Sequence, residues 1–165
     1  MDARLYLELA KKLVDEVKAG RSLVAQGAGA PECRTAISRA YYAAYNGAVS
    51  FLDVVGLSSG PSHEGHRHLR DVLDNSGSDD LKRVSKLLDN LQTERKLADY
   101  NLNVRRPEIL RQAEAVLRNA EDVFKLLDQV RSNTAALGPI ATAVNAYVTR
   151  RRMTAFRPKS LPGTR

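Results

Sequence analysis

An all-α bundle is the fold class this sequence predicts, on three observations. Apolar residues recur at three- and four-residue spacing through four long segments, which is the period of one helix face. No segment alternates apolar and polar residues with the period-two pattern of a strand, and no internal repeat is found. Gly, Pro, Ser and Asp collect between the periodic segments, where a helix has to stop and turn. A chain of 165 residues with 43% apolar and 27% charged residues is globular and large enough for one buried core.

The first helix is expected over 3–19, where Tyr6, Ala10, Leu13, Val14 and Val17 share a face and Gly20 closes it. The second is the clearest. Within "ECRTAISRAYYAAYNGAVSFLDVVG", Ala36, Ile37, Ala40, Tyr41, Ala44, Tyr45, Ala48, Val49 and Leu52 form a wide apolar stripe. Pro31 stands where a first turn tolerates proline, and Gly56 marks the stop. A short helix over 64–73 follows, between loops rich in Ser, Gly and Asp. Next comes a helix over 79–102, carrying Leu81, Val84, Leu88, Leu91, Arg95 and Ala98. A further helix starts near Pro107 and repeats Ile109, Leu110, Ala113, Val116, Leu117, Ala120, Val123, Phe124, Leu127 and Val130. After Gly138 and Pro139, a short helical stretch over 140–148 leads to a basic tail. The expected domain is a bundle over 1–135 made of five helices with the long ones antiparallel, followed by the short helix and tail over 136–165.

Charge and cysteine content narrow the setting. Arg150, Arg151, Arg152, Arg157, Lys159 and Arg165 supply +6 of the net +7, so residues 1–148 carry only +1. The single Cys33 makes no intramolecular disulfide. No apolar run reaches bilayer length, and the mixed acidic and basic start resembles neither a signal nor a transit peptide. A cytoplasmic protein with no membrane partner is the expectation.

One position breaks the leucine seam of the fourth helix. Arg95 stands where leucine would serve, with Asp99 four residues on, on the same face, and Tyr100 behind it. An exposed helical ion pair contributes about 0.3–0.5 kcal/mol, and the favoured order puts the acid first. A seam position is partly buried, and stranding one buried partner costs about 3–5 kcal/mol. Two readings stay open. Either the pair locks a helix contact, or the guanidinium faces a cleft and takes an anion.

Three runs in order, "AISRAYYAAYNGAVSFL", "SHEGH" and "ERKLADYN", are similar to the HEPN family, named for nucleotide binding in higher eukaryotes and prokaryotes. The family's Arg-x-Tyr-Tyr-Ala run is matched by Arg39, Tyr41, Tyr42 and Ala43. A histidine-glycine turn is matched by His63 and Gly65, and an Arg-x-x-Ala-Asp-Tyr run by Arg95, Ala98, Asp99 and Tyr100. The resemblance covers about residues 3–131. It implies an HEPN-like bundle that dimerises, with the arginine motifs of two protomers facing one cleft. Many members are metal-independent ribonuclease toxins paired with a nucleotidyltransferase antitoxin; others bind nucleotides or act as non-catalytic partners. The ribonuclease branch has a histidine separated from its arginine by four to six residues. Here those positions hold Tyr100, Asn101 and Leu102, so the histidine is missing.

Metal-independent cleavage needs a base for the 2′-hydroxyl, an acid for the leaving oxygen and a cation for the phosphorane. Arg95 fits the cation. An exposed aspartate, near pKa 3.9, is about a thousandfold deprotonated at neutral pH, which makes Asp99 a candidate base, and a phenol, near pKa 10, is a slow donor, the role left to Tyr100. Loss of tuned acid–base help costs on the order of 10²–10⁴ in rate. The expected activity is therefore RNA or nucleotide binding with attenuated or absent nuclease activity. The alternatives are an active endoribonuclease toxin and a helical adaptor for a partner protein.

Arg95, Asp99 and Tyr100 are the candidate catalytic residues, and Tyr42, Arg39, His63 and Asn101 the candidate binding residues. Tyr41 is assigned to the core, Tyr42 to a helix interface, and Arg39 leans to a solvated face. His63, His66 and His68 cannot all face one way on a helix, so no metal or cofactor is expected. His66 and His68 are assigned to solvated surface. Arg150, Arg151, Arg152, Arg157 and Lys159 either follow a nucleic-acid backbone or simply solubilise the chain end. The partners implied are a second copy, an antitoxin or other protein, and RNA.

Overall fold

The computed structural model describes residues 2–21, 30–56 and 65–155, with side chains for all of these but 30 and 152–155. Within them are six α-helices, one 3-10 turn and no strand: α1 (Ala3–Lys18), α2 (Ala30–Val54), α3 (Gly65–Asp74), α4 (Asp79–Tyr100), the 3-10 turn (Arg106–Glu108), α5 (Leu110–Ser132) and α6 (Thr134–Ala155). The chain is all-helical there, as its periodicity dictates. No helix among the described residues is long and apolar enough to cross a membrane.

Local chemistry sets the ends. Asp2 caps α1 by accepting from the Arg4 amide at 2.9 Å. Ser78 caps α4 through the Leu81 amide, and Asp79 and Asp80 in the first turn complement the helix dipole. Gly56 follows the end of α2 with φ +77°, a left-handed conformation that suits glycine.

α2 is the central helix, packed against α1, α4 and α5. Ala36, Ala40, Ala43, Ala44 and Ala48 are buried along it, and their small side chains bring the neighbouring helices close. At Gly47 the approach is so tight that a Cβ would lie 2.8 Å from the Phe124 ring of α5. Ile37, Tyr41, Phe51 and Leu52 of α2 complete the core with Leu81, Val84 and Leu91 of α4 and Val116 and Val123 of α5. Burial of such side chains contributes about 1.5–3 kcal/mol each.

The directions of the helices follow from their polar contacts. Arg4, Lys11 and Lys18 of α1 pair with Asp128, Glu121 and Glu114 of α5, at 2.7, 3.3 and 2.7 Å. As one series climbs its helix the other descends, so α1 and α5 are antiparallel. α2 and α4 run antiparallel by the same test, since Ser38 meets Asp99 and Tyr42 meets Arg95.

Several sequence expectations need correction. α5 begins at Leu110, because Pro107 is spent in the 3-10 turn that precedes it. Ile109, assigned to the apolar stripe, caps that helix instead and is 54% exposed. α4 ends at Tyr100, two residues early. The expected short helix over 140–148 is a 22-residue helix that includes Pro139 and runs through Arg150 and Arg151. Proline there removes one backbone hydrogen bond, but Ile140 and Val144 are buried and Tyr147 and Val148 are partly so. That stripe docks α6 onto the bundle in spite of the break.

Candidate functional site at the end of α4

The seam arginine lies where α4 crosses α2. Its side chain is 15% exposed, and its Nη2 donates to the Tyr42 hydroxyl at 2.7 Å and to the Tyr100 hydroxyl at 2.9 Å. The guanidinium carbon is 5.2 Å from the Tyr42 ring centre and 4.9 Å from that of Tyr100. Both are cation–π distances. Nε is 2.7 Å from Asp99 Oδ2, an ion contact whose N–H is not aimed at the oxygen, so Nε has no directed hydrogen bond. Ser38 of α2 donates to the same carboxylate at 3.3 Å. Burial opposes the charge, yet Tyr42, Asp99 and Tyr100 together hold the guanidinium pKa above its ordinary value.

Of the two sequence readings, the helix contact is the one this geometry describes. Arg95 locks α4 to α2 through Tyr42, and its outer side carries Tyr100, which is 71% exposed. The three candidate catalytic residues and Tyr42 are together. Asn101 follows α4 directly and is exposed, its carbonyl accepting from Arg34 at 3.4 Å. Arg39 is not part of the group: it turns toward α1, with its guanidinium carbon 5.9 Å from the Tyr6 ring centre. One residue past Ser38, it points about 100° further round α2. Its candidacy as a binding residue is not supported by this placement. His63 lies outside the described residues.

The other two histidines correct their assignment to solvated surface. His66 packs against Tyr41 and Tyr45 of α2, with ring centres 5.7 and 4.4 Å away. Its Nδ1 is 2.5 Å from the Tyr41 hydroxyl, so one proton lies between the two. Burial, then the charges of Arg95, Arg70 and Lys96, push the His66 pKa down, and burial pushes that of Tyr41 well up. Both groups are neutral near pH 7. His68 faces the opposite way, 3.1 Å from Arg151, which also contacts Asp71 at 3.2 Å. Arg151, expected in a nucleic-acid tail, is instead a helix residue docked on α3. Arg150 is likewise within α6, the side chain of Arg152 is not described, and Arg157 and Lys159 lie outside the described residues.

Sequence reasoning missed Arg34. It lies at the start of α2, is 9% exposed, and reaches the backbone beyond the end of α4. Nη1 donates to the carbonyls of Leu97 at 3.2 Å and Ala98 at 2.9 Å, and Nη2 donates to that of Val104 at 2.5 Å. Nε and Nη2 both contact the Glu108 carboxylate, at 3.3 and 3.0 Å. The signal was available. Arg34 precedes Ile37 and Tyr41 by three and seven residues, so it interrupts an apolar seam just as Arg95 does.

Cations dominate the outside of this turn. The Arg105 side chain is 89% exposed, Arg106 is half-exposed and Lys96 is exposed. The nearby acids are more covered and already paired: Glu94 with Arg106, Asp99 with Arg95, and Glu108 with Arg34. Comparison of the chain with protein-family models, with curated proteins and with solved structures gave no match.

Proposed function

We propose that the chain is a HEPN-type protein of a prokaryotic toxin–antitoxin or defence module that binds RNA or a nucleotide at Arg95 and does not cleave it. One observation carries this reading: the guanidinium is already held by three oxygen-bearing side chains, of Asp99, Tyr42 and Tyr100. A cation that stabilises a phosphorane must aim its N–H groups where charge develops, and both Nη2 contacts of this guanidinium go to tyrosine hydroxyls within the chain. Arg95 instead serves as the base of a stack, with an exposed tyrosine ring as its outer layer. A nucleobase can stack on Tyr100 while its phosphates meet Lys96, Arg105 and Arg106. Asp99 accepts from the Ser38 hydroxyl and contacts Arg95, so its carboxylate is likewise engaged within the chain.

The test is fluorescence polarisation of a labelled single-stranded RNA and a labelled adenine nucleotide, in EDTA, alongside a gel of total RNA. Wild type should bind, and Tyr100→Ala should weaken binding about 5–150-fold, the loss expected for one stacked base. Total RNA should stay intact. Cleavage by wild type that Arg95→Met abolishes would replace this reading with an endoribonuclease.

A second reading has its own observation. Tyr100, Leu102 and Ile109 are 71, 72 and 54% exposed around one turn, an apolar surface that suits a protein face. It supports a homodimer or an adaptor that holds a partner such as a nucleotidyltransferase. Failure to bind either ligand, with a dimer in sedimentation that Leu102→Asp disperses, would favour it.

A further inference from the structure

The α4 helix ends without the usual device. A helix C-terminus leaves its last carbonyls without intrahelical donors, and a glycine in the left-handed region commonly redirects the chain to satisfy them. Here the following residue is Asn101, at φ −116° and ψ 79°, and no glycine stands between Tyr100 and Glu108. The Arg34 guanidinium takes over that role from the neighbouring helix. It grips Leu97 and Ala98 on the helix, Asn101 and Val104 on the turn, and Glu108 in the 3-10 turn. Its positive charge also lies at the negative end of the α4 dipole.

We propose that Arg34 is the positioning residue of the Arg95 site: it fixes the backbone on both sides of Asp99 and Tyr100, and so holds those side chains on Arg95. Asp99 and Tyr100 are the two residues between the gripped carbonyls of Ala98 and Asn101. Arg34 itself has no contact with Arg95, so its effect on the site passes through the backbone. Only a planar fork of five donors reaches this spread of acceptors; a lysine ammonium serves one point of it. The binding consequence rests on the function proposed above, whereas the positioning itself rests on geometry alone.

The experiment compares wild type, Arg34→Lys and Glu108→Gln, each also with Tyr100→Trp as a reporter, since the chain has no tryptophan of its own. Three quantities are read: amide hydrogen exchange by segment, anisotropy of the reporter's emission, and RNA binding by polarisation. In Arg34→Lys, amides over 99–108 should exchange about tenfold faster, while those in the middle of α1 and α5 stay as in wild type. The reporter's anisotropy should fall, and RNA binding should weaken about tenfold. Glu108→Gln keeps the arginine and its carbonyl contacts, and should show the same pattern at smaller size. It carries the test if Arg34→Lys does not fold.

Faster exchange spread over the whole bundle, or unchanged exchange over 99–108, overturns the proposal, as does a reporter whose anisotropy is unmoved. If wild type binds no RNA or nucleotide while exchange and anisotropy respond as stated, positioning stands and the binding reading falls.

Discussion

The Tyr42–Arg95 contact can be isolated by removing one oxygen. Tyr42→Phe keeps the ring 5.2 Å from the guanidinium carbon and so retains the cation–π contact; only the 2.7 Å hydrogen bond is lost. A hydrogen bond to a charged group contributes about 1.5–3 kcal/mol net. Tyr42 is half-buried, and water can partly replace the hydroxyl, so the lower end applies. The expected loss is about 1.5 kcal/mol, or a fall in Tm of about 3–6 °C for a chain of this size. In an Arg95→Met background the hydroxyl has no guanidinium to meet, and Tyr42→Phe should then cost under about 0.5 kcal/mol. The coupling is therefore about 1 kcal/mol, read from urea denaturation of the four proteins by circular dichroism. If Tyr42→Phe costs the same in both backgrounds, within about 0.3–0.5 kcal/mol, Arg95 does not lock α4 to α2 and the site geometry is wrong.

Two further outcomes follow from burial. The His66 pKa is pushed down in the folded chain, so below about pH 6.5 the unfolded chain takes up a proton that the folded one refuses. Stability should fall as the pH drops from there toward the lower folded value, and the advantage of wild type over His66→Asn should shrink across that window in denaturation at stepped pH. A constant difference would mean that His66 titrates as freely when folded. The glycines give the other contrast. Gly47→Ala should destabilise by about 1 kcal/mol, because an overpacking cost of about 1–3 kcal/mol against Phe124 exceeds the helix-propensity gain of alanine. Gly138→Ala meets no neighbouring element, but Pro139 follows it and disfavours a helical residue that carries a Cβ. The propensity gain is offset, the change stays within about 0.5 kcal/mol, and thermal melts should show a clear loss for Gly47→Ala alone.

How much of this was legible depends on whether the cause was local. Arg95 showed itself because a leucine seam makes a charged residue conspicuous, and Tyr42, just off the α2 stripe, was readable as an interface phenol. Arg34 carried the same mark, but it is only the fifth residue of its helix, near an end where polar residues are ordinary and the mark is easily passed over. His66 was not legible at all. Its partner is Tyr41, 25 residues earlier, and the docking of α3 on α2 is a tertiary fact that periodicity within α3 does not encode. α6 was misjudged because Gly138 and Pro139 look like a stop. The stripe of Ile140, Val144, Tyr147 and Val148 continues to Arg151 with a helical period, and packing outweighs the lost hydrogen bond. Ile109 went the other way: its spacing fitted the α5 stripe, but Pro107 and the 3-10 turn displaced the start of the helix past it.

The ion pairs between α1 and α5 have a consequence for how the two helices find their alignment. Each is at least partly exposed, so water and salt screen it, and together they matter little to stability. Their spacing says more. Arg4, Lys11 and Lys18 step by seven, as do Glu114, Glu121 and Asp128. Three residues before each of those acids stands a cation: Arg111, Arg118 and Lys125. If α1 slid by three residues, about one turn, in that direction, three attractive pairs would become three repulsive ones. The charge pattern therefore opposes that slip independently of the packing of Leu7, Ala10 and Val14. The ladder acts as a vernier, marking one alignment of the two helices by charge as well as by packing.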